Sequence, residues 1–168
     1  LNEQYTVRTA YGGQPALDAL DDAVDVILLD RRMPGLTGDE VLQRVRESDY
    51  DPRIVMVTAI DPDVDIVDME FDDYLCKPIG KETLIEAIEH QLTAQQYGDI
   101  LQALFRATSK VGVLEAEKSD EELADSAEYQ QLADRIEELR AEQTELIDEL
   151  DDFEAAFNSI DRAPKEPM

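Results

Sequence analysis

The chain has 168 residues, 43% of them apolar and 6% aromatic, with no Trp, which suits one ordinary domain plus a small one, or two small ones. Its 41 acidic residues face 15 basic ones for a net charge of −26, shared evenly between the two halves rather than gathered in a tail. Phosphate contacts need clustered Lys and Arg, so direct DNA binding is disfavoured, and no apolar run approaches the ~18 residues of a membrane span.

In chain order, Tyr5-Thr-Val-Arg-Thr-Ala10 is β-branched and alternating and predicts a strand. Gly12-Gly13 is a turn, and Pro15 to Leu20 predicts a short helix with proline in its first turn. Val24 to Asp30 predicts a strand whose Val26-Ile-Leu-Leu run reads as buried on both faces, as in a parallel sheet covered by helices. Thr37 and Glu40 have capping-box spacing ahead of an amphipathic helix carrying Val41, Leu42 and Val45. Arg53 to Ala59 predicts a third, buried strand. The acidic stretch from Asp61 to Phe71 predicts a short or irregular helix, with Ile66, Val67 and Met69 as its contacts. Asp73 to Pro78 is a strand end and a tight turn, and Lys81 to Gln91 predicts a helix with Leu84, Ile85 and Ile88 on one face. Alternating strands and helices argue for a doubly wound parallel sheet. The single Cys76 has no internal disulfide partner, and His90, between Glu89 and Gln91, reads as a surface residue. A reducing, cytoplasmic compartment follows from this cysteine usage, and no signal peptide is visible at Leu1-Asn-Glu-Gln.

Beyond about residue 93 the strand signals stop. Tyr97, Ile100, Leu101, Leu104, Phe105 and Thr108 form a helical stripe, and Ser119 with Glu122 has capping-box spacing. Leu132, Ile136, Leu139, Gln143, Leu146, Leu150, Phe153 and Phe157 step alternately by four and three, a heptad seam with a polar residue in its middle. The seam has two readings, pairing between copies or a hairpin folded back on residues 97–108. Residues 163–168 read as a disordered tail. An evenly acidic, Lys-poor surface resembles that of proteins from organisms that keep molar salt in their cytoplasm, where a Debye length of ~3 Å screens self-repulsion; the alternative is an acidic mesophile protein.

Asp30, then Thr58 followed by small Ala59, then Tyr74 and Lys77 fall at the ends of successive predicted strands, and such ends converge on one edge of a parallel sheet. Asp30 is a carboxylate that can attack a phosphoryl group. Lys77 can donate a charge-assisted hydrogen bond to a phosphoryl oxygen, and Thr58 a neutral one. A divalent cation, Mg²⁺ above all, would offset the charge of the transfer. Taken singly, each residue has an ordinary explanation: a turn aspartate, a β-propensity threonine and a surface lysine.

Through Ile27-Leu-Leu-Asp30-Arg-Arg-Met33-Pro34-Gly35, Val55-Met-Val-Thr58-Ala59 and Asp72-Asp-Tyr74-Leu-Cys-Lys77-Pro78, residues 5–92 resemble a two-component response-regulator receiver domain. The resemblance implies a flavodoxin-like sheet of order 2-1-3-4-5, with Asp30 as phospho-acceptor, Thr58 as switch hydroxyl, Tyr74 as switch aromatic and Lys77 as phosphate-binding lysine. It also implies Asp30 and the backbone carbonyl of Arg32 as Mg²⁺ ligands, and a sensor histidine kinase as phosphodonor. Residues 103–115 and 122–132 resemble the HalX-type helical domain that follows haloarchaeal receivers. The expected organisation is a partial receiver at 1–92, a HalX-type output or dimerisation domain at 93–162, and the tail. The first strand, first helix and acidic metal-binding pair of a receiver are not seen, so the chain reads as N-terminally truncated, with Mg²⁺ expected only when that pair is present. The rival is a degenerate receiver that binds no metal.

The function this resemblance implies is a phosphorylation switch rather than an enzyme, expected to act in transcriptional regulation with a kinase, a second copy of itself and a downstream protein as partners. The alternative is a phosphorylation-independent adaptor that works through its heptad helix. A hydrolase is disfavoured because no second acid stands ready beside Asp30, and flavin binding because no phosphate-cradling loop appears.

Overall fold

The computed structural model describes residue 1 and residues 3–159, with the backbone alone for 153–159. Residues 1–92 and 93–155 form two compact units. The expected tail at 163–168, and the seam side chains of Phe153 and Phe157, lie outside what is described.

In the first unit, three parallel strands, β1 (Val26–Leu29), β2 (Arg53–Thr58) and β3 (Asp73–Cys76), pair in the order β1-β2-β3. Leu29 lies opposite Met56, and Thr58 opposite Cys76. Alternation along each strand serves two helical layers. Leu29, Ile54, Met56, Tyr74 and Cys76 pack with Val41, Leu42 and Val45 of α2 (Gly38–Arg46), and α1 (Gly13–Asp18) lies against α2. On the other face Val55 and Leu75 pack on Leu84 and Ala87 of α3 (Lys81–Glu117). The capping box at Thr37 and Glu40 is formed as expected.

The structure departs from the sequence reading in several places. Tyr5 to Ala10 forms no strand; side chains tether the segment instead, with Arg8 donating to the Ala19 carbonyl at 2.9 Å and to Asp21 at 2.8 Å. In a 2-1-3-4-5 order its ladder partner would be the first strand, which is not among the described residues, and an unpaired segment has nowhere to place its backbone bonds. For the same reason β1 is an edge strand and Leu28 is 37% exposed, not buried on both faces. The stretch after β2 holds a short 3-10 helix, Val64–Asp68, capped by Asp63, in keeping with the expected short or irregular helix; Ile66 and Met69 reach the core as expected, whereas Val67 is exposed rather than a contact. Finally, α3 runs unbroken past residue 93. The composition changes there, but no Gly or Pro stands at 93–97 to stop a helix. His90 is half-buried, with a ring nitrogen 3.4 Å from the buried Gln91 amide, rather than a plain surface residue.

In the second unit α3 is joined through α4 (Asp120–Ala124), with the Ser119–Glu122 capping box formed, to α5 (Ala127–Ser159). Ile136, Leu139 and Leu146 of the heptad seam are buried. Leu139 and Leu146 pack with Ile100, Tyr97, Ala103 and Leu104, so within one chain the seam closes a hairpin. The stripe on α3 is turned relative to the reading: Ala107 is buried, while Leu101, Phe105 and Thr108 face solvent. A buried alanine gives no hydropathy signal against a phenylalanine, and this shifts the apparent face.

Candidate functional site

Asp30 follows directly on β1 and Lys77 directly on β3, and the Lys77 ammonium donates to Asp30 Oδ2 at 2.7 Å. The Arg32 main-chain N–H donates to Asp30 Oδ1 at 3.1 Å. Thr58, the last residue of β2 and fully buried, turns its hydroxyl to the same carboxylate and accepts the Ile60 N–H at 3.3 Å. The Lys77 N–H donates to the Thr58 carbonyl at 2.8 Å, which locks the ends of β2 and β3 together. Burial is the largest single influence on Asp30 and opposes its charge. Lys77, the Arg32 N–H and Thr58 together outweigh it and hold the carboxyl below the usual carboxylate range. Ala59 is exposed in the bend after Thr58. Asp30 itself is 33% exposed.

Tyr74, the switch aromatic that the resemblance implies, points inward. It is 6% exposed, its hydroxyl donates to the Ile60 carbonyl at 2.8 Å, and its ring is tilted against Phe71 with centroids 5.5 Å apart. Cys76 is buried beside it, and burial pushes its thiol pKa up.

The loop after Asp30 is shaped by Pro34 and by Gly35, whose φ of +82° suits glycine. At Gly38 a Cβ would stand 2.2 Å from the Asp30 carbonyl oxygen and 2.7 Å from Arg31 Cα, so α2 can start against the Asp30 loop only on a glycine. The Gly38 N–H donates to the Arg31 carbonyl at 2.9 Å. The sequence reading missed Gly38 and Arg31. Arg31 Nε and Nη2 donate to the two Asp39 carboxylate oxygens, each at 3.0 Å, and Nη2 also to Asp65 at 2.6 Å. The Asp39 bond, then that to Asp65, drives the guanidinium pKa further up. Asp39 is within reading distance in the sequence, but Asp65 is not, because a separation of 34 residues becomes a contact only through the sheet.

The response regulator receiver domain model matches residues 1–89. The chain belongs to the response regulator receiver family. A HalX domain model matches residues 93–158 of this response regulator. A relative from Haloferax volcanii, named as a putative transcriptional regulator, is 40% identical over 96% of this chain and 29% of its own length. The transcriptional regulatory protein CpxR of Escherichia coli is 34% identical over 58% of this chain and 43% of its own. This response regulator therefore spans less than half the length of these relatives. A signal receiver domain from Vibrio parahaemolyticus superposes with a TM-score of 0.54 at 22% identity, over 60% of this chain and 80% of that one, which shows the fold. The haloarchaeal relative agrees with the acidic composition.

Receiver domains bind Mg²⁺ at the phosphorylation site. The described residues offer it one carboxylate, Asp30, already paired with Lys77, and the Arg32 carbonyl. Among the described residues no three acidic, His or Cys side chains converge on a metal site. Mg²⁺ wants near-octahedral oxygen ligation, and this donor set does not meet it. Also among the described residues, no helix is long and apolar enough to cross a membrane.

Proposed function

We propose that Asp30 accepts a phosphoryl group from the phosphohistidine of a sensor kinase in the cytoplasm, and that the modified receiver unit signals through the helices of 93–158 to regulate transcription. The observation that carries this reading is the convergence of Lys77 and Thr58 on one partly exposed, ionised carboxylate. In the transfer an Asp30 oxygen forms the new P–O bond as the P–N bond to the donor imidazole breaks, and the imidazole nitrogen leaves with the electron pair. Lys77 exchanges its bond to Asp30 Oδ2 for one to a phosphoryl oxygen, and the Thr58 hydroxyl donates to another. The new charge biases the Thr58–Tyr74 region toward pairing with a second copy and with a downstream protein. The names of the relatives support transcription as the regulated process, and the exposed Leu101, Phe105 and Val113 on α3 support a protein-facing role for the helical unit.

The test is acetyl phosphate labelling in molar KCl, resolved on a phosphate-affinity gel, of the chain alone and of the chain joined to a receiver's first strand–helix unit with its acidic pair. Expected is an acid-stable, base-labile shift in the joined protein that Asp30→Asn abolishes. A shift that survives Asp30→Asn, or none in either form, overturns the reading and leaves the adaptor.

A further inference from the structure

Arg31 is heavily engaged, with three side-chain hydrogen bonds to two carboxylates. Although it follows the phospho-acceptor directly, its side chain is only 10% exposed. Its planar fork takes both oxygens of Asp39 at the head of α2 and adds Asp65 in the 3-10 turn. That turn lies in the β2–β3 connection, which also carries Ile60, the residue whose carbonyl receives the Tyr74 hydroxyl. The Tyr74 hydroxyl is a further neighbour of the guanidinium. One cation thus joins the Asp30 loop, α2 and the connection on which Tyr74 is anchored. The bidentate geometry needs arginine, because a lysine ammonium is a point charge without a fork. At its other end Arg31 is not free to drift, since Gly38 packs on its Cα and bonds its carbonyl.

We propose that Arg31 is a positioning residue: by pinning the Asp65 turn it holds Tyr74 in its inward position, and it makes that position depend on the backbone that carries Asp30. The signalling consequence rests on Asp30 being the phospho-acceptor; the positioning itself does not. A displacement of the loop at residue 30 moves the Arg31 Cα, and through the fork it moves Asp65 and the connection under Tyr74.

The test reads Tyr74 in the unphosphorylated chain. Tyrosines are replaced by 3-fluorotyrosine, the Tyr74 ¹⁹F line is assigned by Tyr74→Phe, and its broadening by a soluble gadolinium chelate is followed in molar KCl. The native line is expected to be protected. Arg31→Gln and Arg31→Lys both lose the protection with an unchanged far-UV spectrum, and the double variant Asp39→Asn, Asp65→Asn, whose carboxylates are 46% and 54% exposed, loses it too. A Tyr74 line as protected in Arg31→Gln as in the native chain overturns the proposal. If Arg31→Gln does not fold, retained protection in the double variant overturns it instead. Failure of Asp30 to take phosphate would sink the acceptor reading and leave this result standing.

Discussion

Asp30 is caught between burial, which works against its charge, and the Lys77, Arg32 and Thr58 contacts, which favour it and prevail. A carboxyl whose pKa falls on folding stabilises the native state above its unfolded value, near 3.9 for Asp, and that contribution is lost as the pH falls through the lower folded value. Lys77→Gln removes the charged partner but keeps a donor. We expect the Asp30 carboxyl to titrate at higher pH in this variant, read by ¹³C NMR with Asp30→Asn as the assignment control, and acetyl phosphate labelling to slow. An unmoved titration would show that the 2.7 Å pair does not set the charge of the site. Gly38 is the other residue on which the site turns. Gly38→Ala forces a methyl group into main-chain atoms of residues 30 and 31, so overpacking should cost about 1–3 kcal/mol in urea unfolding. The same variant should label poorly with acetyl phosphate even when folded, whereas Gly80→Ala, with nothing within 4 Å of its Cβ, should do neither.

At the scale of elements, the sheet is tied at the end opposite Asp30 by Asp72, just before β3. Its carboxylate accepts the Ile54 N–H at 2.7 Å, Arg46 of α2 at 2.8 Å and Arg53 of β2 at 2.7 Å. Burial is the largest influence and opposes the charge, but these partners overcome it and hold the pKa down. Asp72→Asn leaves two arginines without their anion, at a cost of about 2 kcal/mol at pH 7, less than for a fully buried pair. By the same sign rule the native advantage should begin to fade near pH ~4 and vanish as the pH falls through the lower folded value, so the two proteins should unfold at similar urea concentrations in strong acid. A gap independent of pH would assign the effect to packing. None of this clamp is announced by local pattern, since Arg46 and Asp72 are 26 residues apart. What the sequence does disclose is what short range decides. The apolar runs mark β1, β2 and β3, the capping boxes mark the starts of α2 and α4, and strand-end placement brings Asp30, Thr58 and Lys77 together. It misleads where the outcome depends on a neighbour: Tyr5 to Ala10 has strand propensity without a ladder, Leu28 has hydropathy without a covering layer, and the α3 stripe is displaced by Ala107.

For the whole molecule the governing quantity is the net charge of −26. The ion pairs inside the receiver unit, such as Arg46–Asp72 and Arg31–Asp39, have one or both partners largely shielded from solvent, so salt weakens them little. The excess acids are exposed, and salt screens their mutual repulsion strongly: the Debye length is ~30 Å at 0.01 M and ~3 Å at 1 M. At low salt every surface carboxylate therefore repels many others, while at molar salt it repels only its immediate neighbours. The thermal midpoint should climb steeply with KCl, opposite to a protein held together by surface salt bridges. Preferential hydration would also raise it, and the two causes separate by mutation. Glu137→Gln, Glu145→Gln and Asp148→Asn together remove three exposed charges from α5, none of them in an ion pair among the described residues. If repulsion governs, the triple variant should melt higher than the native chain at 0.1 M KCl and nearly with it at 3 M. Parallel salt curves for the two would assign the salt requirement to hydration instead and remove charge from the explanation.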